Sequence, residues 1–119
     1  MTPEREIDIQ AAFRKRCYYG APTVKVVAIP NAARRTIWEA RQAKKEGLAA
    51  GFPDVMCLAP DGLVAWIEFK TSTGRVSDNQ REWLDLLARY GFNACVARSA
   101  DEAVEFLRGR GFAIRDRAE

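Results

Sequence analysis

Apolar residues fall along this chain in short runs whose spacing alternates between helical and strand-like. Val24 to Ile29 is a β-branched apolar run and predicts a strand. Asp54 to Ala59 and Leu63 to Lys70 predict two more, joined by the hairpin turn Pro60-Asp61-Gly62, where glycine suits a positive φ. Asn93 to Arg98 predicts a fourth, and Phe112 to Arg115 a short last strand. Between them the pattern turns helical. Thr2-Pro3-Glu4 reads as N-cap, first-turn proline and acidic first turn of a helix running to about Tyr18. Gly20-Ala21-Pro22 breaks it. Ala32 to Glu46 predicts a helix closed by Gly47. Its apolar positions are sparse (Ile37, Trp38), which suits a helix lying over a site rather than in a core. Ser77 to Tyr90 predicts a helix with Trp83, Leu84 and Leu87 turned inward and a stop at Gly91. Ser99 to Arg108 predicts another, opened by the capping box Ser99-x-x-Glu102.

The order α-β-α-β-β-α-β-α describes an α/β fold, a mixed central sheet flanked by helices. The link from the 63–70 strand through the 77–90 helix to the 93–98 strand is expected to be a right-handed parallel crossover. At 119 residues the whole span, 1–119, is expected to form one domain. No apolar run approaches the roughly 20 residues of a membrane span. Met1-Thr2-Pro3-Glu4-Arg5-Glu6 lacks the apolar stretch of a secretory signal, so the expected location is cytoplasmic.

The absence of histidine narrows the chemistry most. A Ser-His-Asp triad, a Cys-His pair and a histidine-ligated zinc are all excluded. The three cysteines, Cys17, Cys57 and Cys95, are far apart with no C-x-x-C, which argues against a zinc site or a disulfide framework. Cys57 and Cys95 sit in apolar runs and read as core thiols. Hydrolytic chemistry here must rest on carboxylates, lysine and metal.

Net charge is only +3, a weak nucleic-acid signal. Its make-up says more, because fourteen of the nineteen basic residues are arginine, which grips phosphate bidentately. They cluster at Arg14-Lys15-Arg16, at Arg34-Arg35, from Arg41 to Lys44 and Lys45, and at Arg75 with Arg81. Solvated helix faces are the competing reading. Trp38, Trp66 and Trp83 read as packing residues, although an exposed Trp38 could stack on a base.

One strand carries charge that needs a reason. From Val64 to Lys70 side chains alternate, so Glu68 and Lys70 share one face while Ala65, Ile67 and Phe69 share the other. Unpaired charge in so apolar a run is costly, so the pair must be near water, paired or on an ion. Upstream stands Gly51-Phe52-Pro53-Asp54. The two strands together put two carboxylates and a lysine at one end of a sheet, where a divalent metal can sit. Hydrolysis of a phosphodiester needs an activated water and stabilised charge on phosphate, and carboxylate-held Mg²⁺ or Mn²⁺ supplies both.

Gly51-x-Pro53-Asp54, then Glu68-x-Lys70, then Ser77-x-x-Gln80 with Trp83, preceded by a first-helix glutamate, resembles the VRR-NUC (virus-type replication-repair nuclease) branch of the PD-(D/E)xK superfamily. The match runs from about Glu4 to about Leu107, in the form of the small stand-alone phage-type members. The resemblance implies a restriction-endonuclease-like core and a metal-dependent, structure-selective endonuclease acting on branched DNA such as flaps or four-way junctions. It implies Asp54 and Glu68 as central ligands of Mg²⁺ or Mn²⁺, with the backbone carbonyl of Phe69 as a third. Gly51 and Pro53 would fix the turn that presents Asp54. Lys70 would orient or help deprotonate the attacking water, or stabilise transition-state charge.

Glu6 is the expected first-helix ligand, since Glu6 and Gln10 share a helix face and Glu6-x-x-Ile9-Gln10 resembles the family's opening. Glu4 is its rival, at a position that suits dipole stabilisation. Gln80 is expected near the metal or the scissile phosphate, yet Ser77-Asp78-Asn79-Gln80 is also a complete capping box. The expected DNA contacts are Asn31, Arg34, Arg35, Arg41, Lys44, Lys45, Arg75 and Ser77, with N-capping the competing role for Asn31. Symmetric action on two strands calls for a homodimer. A non-catalytic junction-binding module is the alternative. A small-molecule hydrolase fits less well, for want of histidine and of a phosphate-cradling glycine loop, and no nucleotide cofactor is expected.

Overall fold

The computed structural model describes residues 4–30 and 36–116. Four helices and four strands follow one another as α1 (Glu6–Gly20), β1 (Lys25–Ala28), α2 (Ile37–Lys45), β2 (Val55–Ala59), β3 (Leu63–Phe69), α3 (Asp78–Arg89), β4 (Asn93–Ala97) and α4 (Ala100–Gly109). This is the α/β order the hydrophobic pattern predicts. The strands form one mixed sheet in the order β1-β2-β3-β4. The first two pairings are antiparallel, and β3 pairs with β4 in parallel across the α3 crossover.

Period-two alternation in β3 decides which layer lies on which side. Ala65, Ile67 and Phe69 join Val55, Cys57 and Ala97 in the main core, against Ile9, Phe13 and Cys17 of α1 and Ala103, Val104 and Leu107 of α4. The α1 residues repeat every four positions, one stripe of a 3.6-residue helix. Phe13 is fully buried, with its ring 5.5 Å from that of Phe69. The opposite face carries Trp66, which meets Phe52 and Phe92 edge-on, and Phe52 in turn meets Trp83 of α3. Trp66 and Trp83 thus pack as expected. Trp38 does not: it is 68% exposed on α2.

Several boundaries differ from expectation for local reasons. The first helix starts at Glu6 after an extended Arg5, whose backbone N–H donates to the Asp8 carboxylate at 3.3 Å. Thr2 and Pro3, expected to open it, lie outside the described residues. The second helix, expected from Ala32, begins in the described chain at Ile37. A Thr36-x-x-Glu39 box sets that start: Glu39 N–H donates to Thr36 Oγ1 at 3.1 Å, and Thr36 N–H to Glu39 Oε1 at 3.2 Å. Gly47 at φ 84° ends it, with Leu48 N–H bonded to Ala43 O at 2.8 Å. The Ser99 box is only half made, because the Glu102 carboxylate accepts from Arg98 N–H at 2.7 Å instead of from Ser99. In the hairpin turn Asp61 as well as Gly62 has positive φ.

The expected last strand is not one. Phe112 and Ile114 alternate and are buried, but their segment lies against the end of α1, where Arg115 N–H bonds Gly20 O at 2.9 Å. Alternating burial is there; a partner strand is not. Gly20 is needed for this docking, since a Cβ would stand 1.9 Å from Arg115 O. Gly20→Ala is expected to destabilise the fold by about 1–3 kcal/mol, read as a lower urea midpoint with unchanged m-value.

Candidate functional site

The site is assembled where three elements meet at one end of the sheet. Asp54 immediately precedes β2, and its carbonyl accepts from Ile29 N–H at 2.8 Å, extending the β1–β2 ladder by one pair. Val55 pairs with Ile67, so continuing that register sets Asp54 opposite Glu68. The Asp54 carboxylate accepts from Phe69 N–H at 2.8 Å. This bond fixes one carboxylate of the pair to the backbone beside the other. Glu6 arrives from the first turn of α1, anchored by Ile9 and Phe13 below it. Each of Glu6, Asp54 and Glu68 offers a carboxylate oxygen, and these atoms lie within 4.8 Å of one another. Glu4, the rival to Glu6, is exposed and not in this cluster.

Glu68 is the buried member, at 2% exposure. Its Oε2 accepts from Gln80 Nε2 at 2.9 Å and lies 4.0 Å from Lys70 Nζ. Its Oε1 is buried with no hydrogen-bond partner among the described residues. An orphaned carboxylate oxygen of this kind is costly and calls for an explanation. Burial, then the neighbouring Asp54 charge, push the Glu68 carboxyl up to about 8 from an ordinary 4.5. Burial also raises Asp54, with Glu6 adding to the shift and the Phe69 N–H opposing it. Clustered acids that resist ionising are relieved by a shared cation, and an all-oxygen donor set suits a hard divalent one. The residues present therefore fit a divalent metal.

Gln80 makes the capping contact and a second one to the acidic cluster at the same time. Its Oε1 accepts from Ser77 N–H at 2.9 Å, completing the α3 capping box, while its Nε2 holds Glu68. Ser77 Oγ accepts the Gln80 N–H at 3.2 Å, so the hydroxyl is engaged in the cap. Gly51 brings α3 to the cluster. It has φ 84°, and a Cβ there would lie 2.7 Å from the carbonyl carbon and from Cβ of Asn79, and 2.8 Å from Gln80 N. Only glycine permits both that backbone and that approach. Pro53, fully buried, stiffens the last step to Asp54.

Arg98, at the end of β4, carries no motif and was not singled out in the sequence. Its guanidinium donates to Thr71 O at 2.6 Å and Gly74 O at 2.7 Å, pinning the loop between Lys70 and Ser77. The only sequence signal is a cation ending the strand parallel to the Glu68–Lys70 strand. The expected nucleic-acid contacts scatter. Arg75 is exposed on the pinned loop, and Arg41, Lys44 and Lys45 line an open groove along α2. Asn31, Arg34 and Arg35 lie outside the described residues. Of the Arg14-Lys15-Arg16 cluster, Arg14 bonds Val26 O at 3.2 Å, and Arg16 is held by Asp101 and Asp116.

The sequence profile of the VRR-NUC domain matches residues 5–101. The chain belongs to the VRR-NUC domain family. Among solved structures, one called a VRR_NUC domain protein superposes with a TM-score of 0.70 at 18% identity, covering 90% of this chain and 88% of that one. A second, called a VRR_NUC domain, gives 0.63 at 17% identity, covering 87% and 94%. No curated protein sequence matches the chain. The VRR-NUC assignment gives the nuclease-type fold and accounts for the mixed sheet with its flanking helices. Among the described residues, no helix is long and apolar enough to cross a membrane.

Two outcomes are expected of the site itself. Gly51→Ala must displace the first turn of α3 and with it Gln80, lowering stability by about 1–3 kcal/mol in urea unfolding. The second concerns pH. Native Glu68 holds its proton up to about 8, while in the unfolded chain it releases it near 4.5. Between those values the native state binds more protons, so metal-free stability falls as pH rises, by at most about 1.4 kcal/mol per unit from this group. Urea midpoints in EDTA across this window are expected to show the decline, and Glu68→Gln to flatten it.

Proposed function

We propose that this VRR-NUC domain is a divalent-metal-dependent endonuclease that hydrolyses phosphodiester bonds in branched DNA, four-way junctions or flaps. The observation carrying this reading is the three-carboxylate cluster around buried Glu68, with its orphaned oxygen and Lys70 alongside. A protein does not gather like charges in a dry place for stability alone.

Asp54, Glu68 and Glu6, with the Phe69 backbone carbonyl, would hold Mg²⁺ or Mn²⁺. When bound, the ion supplies a lower pKa for water and a counter-charge for the phosphate. The protein's own groups do the rest. Gln80 holds Glu68 in one rotamer through Oε2, so that the carboxylate would be oriented for an ion. Phe69 N–H does the same for Asp54. Lys70 sets a cation 4.0 Å from Glu68 Oε2, where it meets the charge that develops on the phosphate oxygens. Attack of water would form one P–O bond as the bond to the leaving sugar oxygen breaks; the attacking water gives up one proton to solvent and the leaving oxygen takes one up from it. Arg98 keeps the loop carrying Arg75 beside this point. A two-fold homodimer would present two such sites to opposed strands.

Cleavage of labelled linear, flap and four-way-junction DNA with Mg²⁺, Mn²⁺ or EDTA tests the reading. Metal-dependent cutting of a branched substrate is expected, falling at least about 100-fold in Asp54→Ala and Glu68→Ala while binding survives. Full activity in either variant would sink the metal-site assignment. Tight binding without cutting in either metal would leave a junction-binding module.

A further inference from the structure

The chain between β1 and β2 is an excursion rooted at the acidic cluster. It leaves at Ile29, whose N–H bonds Asp54 O, and returns at Asp54 itself. On it sits α2, which buries only Ala43. Trp38 is 68% exposed and Ile37 76%. Tryptophan is among the most costly side chains to leave in water, so its exposure calls for a partner.

What surrounds Trp38 says which partner. Arg41, Gln42 and Lys45 follow it at i+3, i+4 and i+7, on one helix face. With Lys44 they line an open groove of about 540 Å³. None of Arg41, Lys44 and Lys45 has an ion pair among the described residues. Glu39, the nearest acid on the helix, is engaged in capping Thr36. The face thus carries an exposed indole followed by cations that have no ion pair among the described residues.

We propose that this face of α2 is a stacking station for an unpaired nucleotide, with Trp38 against the base and Arg41 and Lys45 on the flanking phosphates. Duplex DNA hides the π-faces of its bases in the stack, so only a single-stranded segment can use the indole. A second copy of the chain is a poor occupant, because three positive charges would meet their own images across a two-fold axis. The inference rests on the nuclease reading and adds a substrate feature to it: the DNA that this face holds carries an unpaired segment.

Fluorescence polarisation in EDTA tests it, with a labelled single strand of about 12 nucleotides and a blunt duplex of equal length. Wild type, Trp38→Ala, Trp38→Phe and Glu68→Ala are compared. Trp38→Ala is expected to weaken single-strand binding about tenfold or more, the loss of one stacked base, with duplex binding changed less than about twofold. Trp38→Phe recovers most of the loss, which excludes misfolding as its cause. Glu68→Ala binds single strands as wild type does, even though it does not cut. Equal weakening on both DNAs, unchanged single-strand binding by Trp38→Ala, or a shift from dimer to monomer by sedimentation would overturn the proposal and leave the nuclease reading standing. Wild type that binds neither DNA would also overturn the proposal, while the nuclease reading stands or falls on the branched-DNA cleavage assay.

Discussion

A carboxylate buried at the end of a sheet, with two more beside it, is the constraint around which this chain is organised. Glu68 is almost wholly withdrawn from water, and one of its oxygens has a single amide donor while the other has none among the described residues. Isolated burial of such a group costs several kcal/mol, and adding Asp54 and Glu6 nearby increases that cost. The rest of the domain holds the arrangement against its own repulsion. The apolar side of the sheet does this with Phe13, Ile67, Phe69 and Leu107 packed without exposure, locking α1 and α4 over β3. Glu6 sits one turn above that core, so the position of an acid is set by the packing of hydrocarbons.

The polar side is held by fewer and more specific bonds. Gln80 links the cap of α3 to Glu68, and Gly51 lets α3 approach closely enough for that link to form. Losing either changes the same object, the rotamer of one carboxylate. Arg98 works in the same way on the following loop, by tying two carbonyls that have no strand partner. Helix capping, loop closure and ligand orientation are therefore one connected network here. A change at Gly51 should be felt at Glu68 although the two never touch.

How far this was legible depended on whether the deciding contact was local. The Thr-Val-Lys-Val-Val run, the Pro60-Asp61-Gly62 turn and the Ser77 box use information within a few residues, and those elements stand where their patterns put them. Asp54 and Glu68 could be paired on paper because a three-residue turn fixes the register of β2 against β3. The segment from Phe112 to Ile114 alternates as a strand does, but whether a strand lies beside it is a tertiary fact, and its neighbour is the end of a helix. Arg98 was invisible for the same reason: its partners are 24 and 27 residues away. Of the two readings open to Trp38, packed or exposed, the exposed one holds, against the usual habit of tryptophan.

The exposure of Trp38 follows from how stability is distributed. Buried apolar residues in this fold come from β2, β3, β4, α1, α3 and α4, and α2 contributes only Ala43 to them. An element with so little buried surface is held by its caps, the Thr36–Glu39 box at one end and Gly47 at the other, and opens at low cost. Yet both ends of its excursion are fixed at Asp54 by the β1–β2 ladder. Rigidity is concentrated at the carboxylates, where an error of an ångström would matter, and compliance in a helix that shares almost none of the core.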